Sequence, residues 1–203
     1  MRWKPAVGGN ISFHHIPDVD RNKAKPGFDI GVAIETPLKE NMFVEAGLYC
    51  SLNRGFVERE LILPIFSSLP EPPTVIEDYS LYLLKVPVTL GIKQKKPNSL
   101  FFSIGTGLRY NLHSHRDGYM VQETNLKYSY NFTIETNSGS KFGLGVNCAI
   151  GKEIKINKHF LEFKLKYDTD LSGWRYPANF DLEKHVYYRF RNHNISLISA
   201  FIF

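Results

Sequence analysis

Apolar residues recur at every second position along most of this chain, in short runs separated by polar or turn-forming residues. Period-two alternation predicts β-strands with one apolar face. The last run, residues 192–203, sets Ile195, Leu197, Phe201 and Phe203 against Asn194, Ser196 and Ala200, and it ends on an aromatic residue. Seven runs precede it, at 6–15, 28–36, 42–53, 80–93, 100–111, 140–151 and 161–168. In the sixth, Phe142, Leu144, Val146, Cys148 and Ile150 oppose Lys141, Gly143, Gly145, Asn147, Ala149 and Gly151. Pro87 interrupts the fourth and removes a ladder donor, which predicts a bulge or a locally open pairing there.

The connections alternate in length. Tight turns are expected at 39–41, 95–98 and 155–158, and long loops at 16–26, 55–79, 112–139 and 171–191. Short turns on one side and long loops on the other are the pattern of an outer-membrane barrel, with short periplasmic turns, long extracellular loops and periplasmic termini. The predicted fold is therefore all-β: one domain over residues 1–203, an eight-stranded antiparallel up-and-down transmembrane β-barrel. A ten-stranded barrel stays open, because residues 126–134 also alternate and form either an extension above the membrane or a further hairpin.

The face opposite the apolar one separates a membrane barrel from a soluble, lipocalin-like carrier whose apolar face points inward. A soluble outer face is charged and poor in glycine. Here that face carries Gly31, Gly47, Gly91, Gly105, Gly107, Gly143, Gly145 and Gly151. Glu35, Glu45, Lys85, Arg109, Glu162, Lys164 and Lys166 lie among them, with Asp29 and Asp168. An eight-stranded interior is just wide enough to be filled by side chains, and buried charges must be paired. The expected lumen is a plugged, salt-bridged polar network.

Composition alone hides this. A hydrophobic fraction of 43% and a mean hydropathy of −0.24 resemble a soluble protein, but a barrel shows lipid only alternate residues. The net charge of +5 is spread without a basic tract, which argues against nucleic-acid binding. Cys50 and Cys148 are expected as free thiols on apolar faces of strands that are not neighbours. The first residues hold no apolar segment of the secretory type, so the sequence reads as a mature form.

Four segments carry a family resemblance: Tyr82-Leu-Leu-Lys-Val-Pro-Val-Thr-Leu-Gly-Ile-Lys93, 101–107 with its Gly-x-Gly, 142–145, and 161–167. Together they resemble the PorT-like outer-membrane β-barrel family of Bacteroidota over nearly the whole chain. The resemblance implies a bacterial outer-membrane location. Most members have no assigned activity, and one namesake is tied to a secretion and gliding apparatus. That family often has an acidic residue before an Ile-Pro step where this chain has Lys85, so its lumen charges are wired differently.

No catalytic constellation stands out, and no cofactor is expected. His113 and His115 are the weak candidates for metal; in an extended chain they share a face, but no third ligand is evident. A lipid A hydrolase or acyltransferase near these histidines is the second reading, with Ser114 between them on the opposite face. The first is a non-enzymatic barrel whose extracellular loops mediate surface interaction or a structural, secretion-associated role. Trp174, Tyr176, Tyr187 and Tyr188 are its candidate loop surface, or part of an interfacial aromatic girdle. The expected partners are the bilayer with its lipopolysaccharide and, through the closing strand ending at Phe203, the barrel-assembly machinery.

Overall fold

The computed structural model describes residues 1–15, 21–60, 74–95, 98–122, 128–135, 141–172, 174–178 and 186–203. Its strands are β1 (Arg2–His15), β2 (Arg21–Lys39), β3 (Met42–Glu60), β4 (Thr74–Lys93), β5 (Leu100–Gln122), β6 (Tyr128–Glu135), β7 (Phe142–Ile156), β8 (His159–Asp170), β9 (Trp174–Ala178) and β10 (Val186–Ile202). Eight of them close a ring in the order β1-β2-β3-β4-β5-β7-β8-β10, and β10 returns to β1 with Ala6 opposite Ala200 and Ile11 opposite Ile195. Every pairing is antiparallel. This is the eight-stranded up-and-down barrel that the alternation predicts.

Closure leaves the ring no free edge, and the alternation fixes what each wall shows. Val7, Ile104, Leu108 and Leu197 stand outward, each more than half exposed. Their neighbours Ala6, Ser103, Arg109 and Ser196 point inward and are buried. A one-residue slip would exchange the two sets, so the register is held by both faces at once. The free cysteines follow the same rule: exposed Cys50 on β3 and half-buried Cys148 on β7 lie on strands that do not adjoin.

The strands are longer than the sequence runs. A tilted strand crosses the bilayer in about 9–11 residues, whereas β5 has 23 and β4 has 20. The surplus lies at the end away from the tight turns. There β2 to β6 continue as a five-stranded sheet, with Arg21 opposite Glu58, Glu60 opposite Thr74, Thr74 opposite Val121 and Gln122 opposite Tyr128. β9 pairs likewise with the upper part of β10. Much of what reads as loop at 16–26, 55–79, 112–139 and 171–191 is thus hairpin ladder. β6, which holds most of residues 126–134, extends the β5 hairpin and does not enter the ring.

Two local devices shape the wall. Pro87 opposes Gly107 on β5 but has no ladder partner on β3, where pairing stops at Ala46–Val88 and resumes at Tyr49–Lys85 in the same register. The result is an open pairing without a bulge. A bulge does occur on β5, where Tyr82 faces His113 and Leu83 faces Asn111, leaving Leu112 unpaired. At the β7–β8 turn Asn157 has φ 56°, a left-handed conformation that asparagine adopts more readily than other non-glycine residues.

Candidate functional site

The inward side chains form a lumen layered by chemistry. At the short-turn end, Arg2 spans Glu35 and Glu153 at 2.9 Å each, and Lys93 reaches the same two carboxylates at 2.8 and 2.5 Å. The Lys93 ammonium also lies 4.7 Å from the ring centre of Phe43, which meets Phe101 edge-on at 6.0 Å. An aromatic pair and a four-membered ion network therefore share the mouth.

Deeper in, Lys4 is the central cation. Its Nζ lies 2.6 Å from Glu35, 2.9 Å from Glu45 and 2.5 Å from Glu162. An ammonium has three hydrogens to donate and no acceptor, so three carboxylates match its capacity. Lys164 closes the layer on Glu45 at 2.8 Å and Glu162 at 3.2 Å. Oxygens of Glu35, Glu45 and Glu162 gather within 4.8 Å, close enough for one metal ion. The Lys4 ammonium already stands among them and supplies the positive charge.

Above this, Lys85 sits 3.5 Å from Asp29 and 3.3 Å from Asp168. Arg109 forks between Asp168 and Asp170, and Lys166 lies 4.0 Å from Asp168. Ser196 donates to Asp29 at 2.7 Å. An amide layer follows: Ser51 donates to Asn53 at 2.8 Å, and Asn10 and Asn194 also turn toward Asn53. At the long-hairpin end the lumen becomes apolar, with Leu81, Leu83, Val57 and Val75 fully buried. There Arg116 pairs with Glu77 at 3.3 Å, and Tyr79 donates to the same carboxylate.

Among the described residues, eight carboxylates reach into this lumen (Asp29, Glu35, Glu45, Glu77, Glu153, Glu162, Asp168 and Asp170). Eight cations answer them: Arg2, Lys4, Lys85, Lys93, Arg109, Arg116, Lys164 and Lys166. Burial of charge is tolerated only with such pairing. The voids left between Tyr49, Lys164 and Lys166, and between Lys85, Arg109 and Asp168, are about 10 Å³ each, the size of one water.

The structure thus brings together Glu35, Glu45, Lys85, Arg109, Glu162, Lys164 and Lys166, the seven residues read from the alternation. Lys4 and Arg2, which precede the alternating run at 6–15, join them on the inward parity of β1. Glu153 and Glu77 continue the inward parity of β7 and β4 beyond the alternating runs, Lys93 ends the 80–93 run on the inward face, and Arg116 turns inward only because of the Leu112 bulge. Extending each alternation to its flanking turn reaches Arg2, Lys4, Glu77 and Glu153, but not Arg116, which lies beyond the bulge.

The histidine pair is placed differently. The Leu112 bulge reverses the parity of β5 above it. His113 packs against Tyr82 on the outer wall, with ring centres 5.8 Å apart, and His115 Nε2 lies 2.7 Å from Asp117. Ser114 is buried inside the wall. No cluster of three metal-ligating residues includes either histidine among the described residues. Trp174 and Tyr176 lie on β9, and Tyr187 and Tyr188 on β10, with Tyr176 opposite Tyr188. Their side chains fall outside the described residues.

Among solved structures, the chain is similar to the outer membrane protein OprG of Pseudomonas aeruginosa, with a TM-score of 0.52 and 9% identity over 100% of this chain and 95% of that one. It also matches Ail, the attachment invasion locus protein of Yersinia pestis, solved with the heparin analogue sucrose octasulfate, at TM-score 0.44 and 10% identity over 100% and 98% of the two chains. Neisserial surface protein A matches at TM-score 0.44 and 7% identity, over 98% and 95%. No curated protein matches the sequence. The likeness to OprG supports the fold alone. The family model for the outer membrane protein β-barrel domain matches residues 1–192, and the chain belongs to that family of bacterial outer-membrane barrels.

Proposed function

We propose that the protein is a non-enzymatic outer-membrane barrel that displays its long hairpins as an interaction surface above a plugged lumen. The observation that carries this reading is the lumen itself. Its charges are matched cation to carboxylate, the polar voids beside Tyr49 and Arg109 hold about one water each, and aromatic and apolar layers stand at its two ends. Nothing so filled serves as a diffusion route, and the ion network acts as a rigid core for the hairpins above it.

The short turns face the periplasm and the five-stranded extension faces outward, as the alternation of connection lengths favours. An epitope inserted within 61–73 is then stained on intact cells, and one inserted at Asn157-Lys158 only after the outer membrane is breached. The reverse pattern would overturn the display reading. The β9–β10 hairpin with Trp174, Tyr176, Tyr187 and Tyr188 is the proposed binding surface, and lipopolysaccharide and the barrel-assembly machinery are the proposed partners. The segment 82–93 and the Gly-x-Gly of 101–107 support a place in the PorT-like branch, and with it a secretion-associated role.

A lipid-modifying enzyme finds no support in the geometry above Leu112. His113 and His115 point away from Ser114, so a serine–histidine pair is not assembled. Replacing both histidines by alanine leaves lipid A composition unchanged in this reading; a change would restore the enzyme.

A further inference from the structure

Two grooves mark the outer wall toward the short-turn end. One, of about 450 Å³, is lined by Ile92, Leu100, Phe102 and Ile150, with Asn41 and Gln94 at its lip. The other, of about 470 Å³, lies over the β1–β10 seam between Val7, Ile30, Leu161 and Phe201. Both have the size of small-ligand sites, roughly 300–1,000 Å³, and both open on the apolar face that the membrane covers.

Charge distinguishes them. The seam groove is lined without a charged residue. Beside the first groove, Lys152 is the register partner of Leu100 and stands exposed on the same outward face as Ile150. It has no ion-pair partner among the described residues. Lys95 follows Gln94 at the lip and is paired with exposed Glu40. Around the whole short-turn rim, Lys39, Lys95, Lys152, Lys155 and Lys158 are exposed, whereas among the described residues of that rim Glu40 is the one exposed side-chain carboxylate. The rim is basic where the wall passes from apolar to polar, the level at which lysines place their ammonium among lipid phosphates.

We propose that this groove is a binding site for an anionic phospholipid. One acyl chain lies along Ile92, Leu100, Phe102 and Ile150, and the phosphate is held by Lys152 and Lys95, with the amides of Asn41 and Gln94 as further donors. Each lysine near an anionic headgroup contributes about fivefold in binding, and the pair favours an anionic headgroup over a zwitterionic one by about tenfold or more. This site depends on the wall facing lipid and not on which barrel end faces the cell, so it is tested separately from surface display.

The test is native mass spectrometry of the detergent-purified, folded barrel, given equal amounts of dioleoyl phosphatidylglycerol and dioleoyl phosphatidylcholine. The expected result is one retained phosphatidylglycerol in about tenfold preference. Lys152→Glu abolishes the preference, whereas Lys141→Glu, an exposed lysine at the opposite end, leaves it intact. Leu100→Trp, which fills the groove, lowers retention of phosphatidylglycerol. Heat-modifiable migration on a gel verifies that each variant is folded, and Lys152→Gln replaces Lys152→Glu if that one is not. Equal retention of the two lipids by the unmodified protein, or a preference that survives loss of the Lys152 charge, would overturn the site, as would unchanged retention in Leu100→Trp.

Discussion

At the scale of single residues, Lys4 and the glycines explain how so many charges fit a narrow space. Lys4 is 1% exposed and serves three carboxylates from β2, β3 and β8. Removing one partner of a buried ion network leaves uncompensated charge, at a cost of about 3–5 kcal/mol. Lys4→Met therefore lowers the denaturation midpoint of the detergent-folded barrel sharply, and adding Glu45→Gln recovers part of the loss. No recovery would mean that Lys4 acts by packing alone. The glycines provide the volume. A Cβ at Gly145 would collide with the Arg109 guanidinium, and one at Gly91 with the Phe43 ring. Overpacking costs about 1–3 kcal/mol, and at residue 145 it also dislodges Arg109 from Asp168 and Asp170. Gly145→Val is thus expected to destabilise more than Gly9→Val, since a Cβ at Gly9 meets nothing; thermal unfolding of the two variants compares them directly.

At the scale of elements, the sequence determines the ring more clearly than the hairpins above it. Inside the membrane each strand meets lipid on one side and packed charge on the other, so period two is enforced at every step and Phe142 to Ile150 could be assigned by alternation alone. Above the membrane the inner face stays buried, as at Val57 and Val75, but the outer face exchanges lipid for water, and polar residues there such as Arg54 and Glu58 lose the apolar–polar contrast while staying in the β3 ladder. The Leu112 bulge was illegible for a related reason: Leu112 looks like any apolar residue, and only its unpaired place between Asn111 and His113 shifts the histidines outward. Ring closure was legible in the run ending at Phe203, but its register was not. That register puts Val7 opposite Ser199. Directly opposed antiparallel residues have Cα atoms about 4.5–5.5 Å apart, within disulfide range. In a background with Cys50 and Cys148 replaced by serine, Val7→Cys with Ser199→Cys should cross-link under mild oxidation, while Val7→Cys with Leu197→Cys should not. The opposite outcome would place the seam two residues away.

At the scale of the whole molecule, what matters is whether closure depends on one gate or on the stack of layers. The short-turn mouth is the obvious gate, since Phe43 and Phe101 cross it with Lys93 against their rings. Behind it stand the Lys4 layer, the Arg109 layer, the amide layer around Asn53 and the apolar layer of Leu81 and Leu83. Charges find partners within the layer or in the one beside it, as Glu35 does with Lys93 and Lys4, and these ion pairs do not run through the aromatic rings. Replacing both Phe43 and Phe101 by alanine therefore widens the mouth without opening a path. In planar bilayers the unmodified barrel and this double variant should both show no steady conductance, while the variant loses stability by an amount typical of two truncated buried rings, about 3–5 kcal/mol each at most. If the double variant conducts, closure resides in a single aromatic gate, and the deeper ion layers are hydrated and mobile rather than locked. Silence in both locates closure in the whole polar stack, where opening would require several buried ion pairs to break together.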